Sequence, residues 1–189
     1  MKRGKLIVFS GPSGSGKTTL VKSVLQKKMP IEFSVSATSR NPRGIEIDGR
    51  EYYFLTLEKF KKKIENDEFI EYEEVYPNKF YGTLKSEIYR IWNNGNHVIF
   101  DIDVFGGLKI KNKFQEETLT VFVQPPDIGA LEKRLQKRET DDDSSLKERL
   151  SKAKLELETA SKFDFTIVND NLELSIKAAI TKVQNFLGL

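Results

Sequence analysis

Cysteine is absent from this chain of 189 residues, which removes a disulfide framework, thiolate zinc sites and cysteine nucleophiles together. Histidine is almost absent. The one present, His97, reads as a surface residue ahead of a strand, so a multi-histidine metal centre is excluded and any serine–histidine triad would have to use it. No apolar run approaches the ~20 residues of a membrane-spanning helix. The first run, Leu6-Ile7-Val8-Phe9, is also too short for a signal-peptide core and leads straight into glycines. An excess of one charge is missing as well. Against 31 Lys and Arg stand 28 Asp and Glu, so the net +3 does not carry the basic signature of a nucleic-acid binder. What remains is a cytoplasmic protein with enzyme chemistry as the expectation, and with neither membrane nor nucleic acid as partner.

The length suits one domain with small inserted lobes, at roughly 150 residues per domain. The 38% of hydrophobic residues is enough for a core. There is no internal repeat and no low-complexity linker. Leu6-Ile7-Val8-Phe9, Val98-Ile99-Phe100, residues 119–123 and residues 165–168 read as buried strands, with a shorter strand near Phe33-Ser34-Val35. Helices are expected over 17–26, around Leu57, Phe60 and Ile64, around Leu84, Ile88 and Ile91, and over 128–138, 145–161 and 172–187. This alternation predicts an α/β fold with a parallel sheet and helices on both faces. Residues 33–84 break the rhythm and predict an inserted, mostly β lobe. Within it, residues 40–56 suggest loops and short antiparallel strands.

The strongest motif is Gly11-Pro12-Ser13-Gly14-Ser15-Gly16-Lys17-Thr18, which fits G-x-x-x-x-G-K-[ST] between a strand and a helix. Glycines let backbone N–H groups converge on phosphate oxygens, and the helix N-terminus adds partial positive charge. Lys17 can reach the β- and γ-phosphates. The Thr18 hydroxyl can ligate Mg²⁺, with Thr19 as the alternative. These groups predict nucleoside triphosphate binding without specifying the reaction. Asp101 and Asp103 close the second strand and share a side in an extended chain, so both are candidates for the magnesium side. A guanine-reading Asn-Lys-x-Asp motif is missing: Asn78-Lys79-Phe80-Tyr81 and Asn112-Lys113-Phe114-Gln115 both fail at the last position. Arg40 and Arg43, three apart among hydroxyl residues, suit a second phosphate and hence a phosphotransferase.

With these residues in place, the chain resembles the guanylate kinase family over nearly its whole length. The phosphate loop, the stretch 34–43, Glu51-Tyr52-Tyr53-Phe54, Phe69-Ile70-Glu71, Tyr81-Gly82-Thr83, Asp101-Ile102-Asp103, Arg134, Arg138, Arg149 and Ile167-Val168-Asn169-Asp170 follow in the family's order. The resemblance implies a single domain, 1–189, of P-loop NTPase type. Its core would be about 1–32, 85–126 and 163–189, its GMP-binding mixed β lobe about 33–84 and its helical lid about 127–162. It implies ATP on Gly11, Pro12, Ser13, Gly14, Ser15, Gly16, Lys17, Thr18 and Thr19, with Arg138 and Asn169, the latter largely through its backbone, framing the adenine. It implies Mg²⁺ at Thr18 and Asp101.

GMP would be held by Arg40, Arg43, Tyr52 and Tyr81 at the phosphate, and by Ser36, Glu71, Thr83 and Asp103 at the guanine. Guanine presents two donors on one edge, and ionised carboxylates are acceptors, so Glu71 and Asp103 fit it where adenine would not. The implied reaction is ATP plus GMP to ADP plus GDP, with dGMP as a further acceptor and no obligate protein partner. The acceptor oxygen is already ionised, so no general base is needed. Lys17, Arg134, Arg138 and Arg149 would supply catalysis by charge, the arginines from the two helices on either side of a polar lid segment at 139–145. Two other readings stand beside it: a kinase for AMP or dTMP, against which the carboxylates speak, and a non-catalytic interaction module, against which the intact loop speaks.

Overall fold

The computed structural model describes residues 3–136 and 143–189, with side chains described for 3–136 and 148–189. In chain order the elements are β1 (Leu6–Ser10), α1 (Lys17–Leu25), β2 (Ile31–Phe33), β3 (Ala37–Thr38), β4 (Tyr53–Phe54), α2 (Leu57–Glu65), β5 (Phe69–Tyr76), β6 (Lys79–Leu84) and α3 (Lys85–Asn93). They continue with β7 (His97–Asp101), α4 (Val104–Phe114), β8 (Thr118–Gln124), α5 (Ile128–Gln136), α6 (Asp143–Leu157), β9 (Phe165–Val168) and α7 (Leu172–Leu187). Five strands make a parallel sheet in the order β2-β7-β1-β8-β9, flanked by helices, and four make a mixed sheet in the order β4-β3-β6-β5. The expected fold class is the one observed. Among the described residues no helix is long and apolar enough to cross a membrane.

Two compact units divide the chain: Met1–Gly4 with Pro30–Phe100, and Lys5–Met29 with Asp101–Leu189. In the second unit β1 and β8 pair in parallel from Leu6↔Thr118 to Ser10↔Phe122, and β9 follows β8 from Val121↔Phe165. All five residues of β1 are buried, and the first four, Leu6 to Phe9, are the unbroken apolar run seen in the sequence. Leu131, Leu135 and Ala153 pack α5 on α6, while Val104, Phe122 and Phe163 close a second cluster. Helix α4 was not expected from the sequence, because Gly106 and Gly107 lower helix propensity. Asp103 caps it through Phe105 and Gly106 N–H groups at 2.9 and 3.1 Å. Gly107 serves close packing: a Cβ there would sit 2.5 Å from Ser10 Oγ.

In the first unit Ala37, Phe60, Phe69 and Leu84 form the core, with the Phe60 and Phe69 rings stacked at 4.5 Å. Thr56 caps α2 by accepting from Lys59 N–H at 3.2 Å. The β5–β6 hairpin turns through Pro77-Asn78, with Asn78 at φ 59°. One expectation is corrected here. β4 pairs with β3 in parallel, not antiparallel, with Ala37↔Tyr53 and Thr38↔Phe54 in register. The long connection between them gives the chain room to return in the same direction. His97 is also corrected: it is half-buried and is the first residue of β7.

Candidate active site

The phosphate loop lies where β1 ends and α1 begins. Gly11, Gly14 and Gly16 all have positive φ. Gly16 stands at φ 100° as the N-cap of α1, and a Cβ there would come 2.2 Å from Asn169 Nδ2. Any side chain would fail on both counts. Helix α1 has neither a side-chain cap nor an acidic residue in its first turn, so its leading N–H groups keep their partial positive charge for an anion. Lys17 Nζ donates to Gly11 O at 2.7 Å and to Pro12 O at 3.1 Å, which lays the ammonium across the loop. Ser15 is buried, and its Oγ has no partner among the described residues.

Next to the loop, Thr18 Oγ1 donates to Asp101 Oδ2 at 2.5 Å. Asp103 is drawn off to cap α4, and its backbone oxygen accepts from Ser10 Oγ at 3.1 Å. Of the two carboxylates, Asp101 is therefore the one beside Thr18. Asn169 and Arg134 hold the loop from its other side. Asn169 Nδ2 donates to Ser15 O at 2.8 Å, Arg134 Nη1 to the same oxygen at 3.4 Å, and Arg134 Nη2 to Asn169 O at 3.0 Å. Arg149 is half-buried on α6 and engaged with a neighbour. Arg138 lies outside the described residues, as does most of the expected lid segment 139–145.

The first unit collects the residues expected at GMP, apart from Asp103. Glu71 and Thr83 face each other across β5 and β6, and Thr83 Oγ1 donates to Glu71 Oε1 at 2.7 Å. Both are buried, at 5% and 0% exposure, and the hydroxyl's hydrogen bond fixes the orientation of the carboxyl in that wall. Ser36 is buried, with its backbone oxygen bound by Tyr53 N at 2.9 Å. Tyr52 and Tyr81 meet edge to face at 5.7 Å. The Arg40 guanidinium lies 4.9 Å over Tyr52 and 5.6 Å over Phe54, and its Nε donates to Tyr81 OH at 3.1 Å. Arg43 is exposed.

The guanylate kinase family model matches residues 3–187. The chain belongs to the guanylate kinase family. It is 47% identical over 185 residues to the guanylate kinase of Bacteroides fragilis, covering 98% of this chain and 91% of that one. It is 47% identical over 185 residues to the guanylate kinase of Porphyromonas gingivalis, covering 97% and 98%. Among solved structures it is similar to guanylate kinase from Anaplasma phagocytophilum, with a TM-score of 0.77, 26% identity, and coverage of 98% of this chain and 87% of the other.

Two carboxylates of this guanylate kinase family member were not anticipated from its sequence. Glu46 pairs with Arg40, and Glu156 is buried on α6. Burial pushes the Glu156 carboxyl above its ordinary range; Lys152 and Lys17 pull it back, and Asp103 pushes it further up. Lys152 Nζ stands 3.8 Å from it. Its position four residues after Lys152, beside the apolar stripe of Leu150, Ala153 and Leu157, is the signal available in the sequence.

Proposed function

We propose that this chain transfers the γ-phosphoryl group of ATP to GMP, giving ADP and GDP, in cytoplasmic purine nucleotide metabolism. Its named relatives support the reading, and the structural observation that carries it is the buried Glu71 carboxylate held by Thr83. An acceptor fixed in that wall matches the N1–H and exocyclic amine of guanine, and it would face the N1 lone pair of adenine. Asp103 is the second proposed acceptor. Arg40, Arg43, Tyr52 and Tyr81 are proposed for the GMP phosphate, and Ser36 and Thr83 for polar contacts at the base. These groups address base and phosphate, so dGMP is expected to serve as well.

On the ATP side, Lys17 and the loop N–H groups receive the phosphates, and Arg134, Arg138 and Arg149 are proposed to offset charge on the phosphoryl group in transit. Thr18 Oγ1 and Asp101 Oδ2 bring two hard oxygen atoms together beside the loop, so Thr18 would ligate Mg²⁺ and Asp101 would reach it through water. Among the described residues there is no cluster of three or more carboxylate or imidazole ligands, so the remaining ligands would be phosphate oxygens and water. When bound, Mg²⁺ would neutralise negative charge on the β- and γ-oxygens. The acceptor phosphate needs no deprotonation, so no residue is assigned as a base.

The test is ADP release from MgATP with GMP, AMP, dTMP, UMP or no acceptor. Release is expected with GMP alone; release without any acceptor would make the chain an ATPase, and release with AMP would refute the guanine assignment. The loop itself is tested by Gly16→Ala. Strain at positive φ and the clash with Asn169 predict at least about tenfold weaker ATP binding by calorimetry. Unchanged affinity would contradict the role given to the loop's backbone path.

A further inference from the structure

Glu46 lies three residues past Arg43, in the connection between β3 and β4. Its carboxylate grips the end of the Arg40 guanidinium in bidentate fashion, Nη1 to Oε2 at 2.6 Å and Nη2 to Oε1 at 2.7 Å. Oε2 also accepts the Arg43 N–H at 2.7 Å. The Arg40 side chain is only 7% exposed. Its Nη1 reaches Asn41 O at 2.9 Å, its Nε reaches Tyr81 OH at 3.1 Å, and its face lies over Tyr52 and Phe54. The plane is thus fixed by rings on its face, a carboxylate at its end and a hydroxyl at its side. Arg40 holds the Glu46 carboxyl below the ordinary range; burial opposes this and the Arg43 N–H reinforces it.

A guanidinium has two edges that offer paired N–H groups. Glu46 takes the end edge. The side edge, formed by Nε and the second N–H of Nη2, stays next to Tyr81. A tyrosine hydroxyl that accepts from Nε still has its own O–H to donate. We propose that Glu46 is a positioning residue for the phosphate end of GMP. By occupying the end edge of Arg40 and the Arg43 N–H, it presents the second N–H of Arg40 Nη2 and the Tyr81 hydroxyl, which Arg40 Nε holds in place, to the phosphomonoester. This rests on the GMP reading above.

The sign of the effect separates this role from simple charge competition. Removing Glu46 leaves Arg40 and Arg43 without their counter-charge, and Coulomb attraction alone would then tighten a phosphate dianion. Positioning predicts the opposite, because a released Arg40 must be ordered again on binding. Glu46→Gln is expected to weaken GMP binding about tenfold by calorimetry, with the KM for ATP unchanged within about twofold. In an Arg40→Ala background, the same substitution is expected to lower kcat/KM for GMP by less than about twofold, since the residue acts through Arg40.

GMP binding as tight as wild type or tighter, an equal rise in the ATP KM, or a full additional loss in the Arg40→Ala background would each overturn the proposal. A wild-type chain that binds no GMP overturns the functional reading and the proposal together. One that binds and phosphorylates GMP with indifference to Glu46→Gln overturns the proposal alone.

Discussion

Lys17→Ala is expected to lower kcat/KM for ATP-dependent phosphorylation of GMP by at least about 10³-fold, with the melting temperature shifted by no more than a few degrees. The size follows from the chemistry. Transfer between two polyanions leaves little covalent work for the protein, so the barrier is set by how well fixed positive charge meets the phosphoryl group. Lys17 is the cation built into the loop, at 2.7 and 3.1 Å from two of its carbonyls. Stability should change by no more than a small amount, because the Lys17 side chain is only half-buried and packs into no core cluster among the described residues. Stopped-assay rates and a thermal melt on the same preparation check both halves. A loss below about tenfold would remove Lys17 from the chemistry, and a collapse of the melt would leave the rate uninterpretable as catalysis.

Glu71→Gln should cost about 10²- to 10³-fold in kcat/KM for GMP and leave the KM for ATP within about twofold. The substitution keeps the shape and removes one acceptor. Thr83 can rotate its hydroxyl and remain satisfied by the amide oxygen. The new NH₂ group, however, would face guanine's own N1–H and exocyclic amine. Two donors then oppose each other in a wall where the side chain is 5% exposed and water cannot compensate. Steady-state kinetics with each substrate varied in turn separates the effects. Equal damage to both substrates would mean that Glu71 supports the fold of the β5–β6 hairpin and does not read the base.

Local signals carried the phosphate loop and most strands. Glycine spacing, the Lys17-Thr18 pair and the apolar run before them all act within a few residues, so they are visible in one dimension. Helix α4 was hidden for the opposite reason: Gly107 answers to Ser10, a contact that only the folded chain makes. The parallel pairing of β3 with β4 was hidden likewise, since direction is set by a long connection and not by strand composition. The same divide runs through the site. Arg40, Glu71 and Asp101 could be named from residue type and order. Their partners Glu46, Thr83 and Thr18 are fixed by geometry. Thr83 and Thr18 sit in motifs whose chemistry names a role for them, and Glu46 has no such role until its contact with Arg40 is seen. Glu156 escaped because its neighbours Lys17 and Asp103 are remote in sequence.

One competition assay bears most directly on the proposed reaction. The chain would be incubated with Mg²⁺, ATP labelled at the γ-phosphate, and equal concentrations of GMP and AMP in one tube, and the products separated by chromatography. Label appearing in GDP, with none in ADP formed from AMP and none as free phosphate, is the predicted result. Label divided between the two diphosphates, or released as free phosphate, would contradict it.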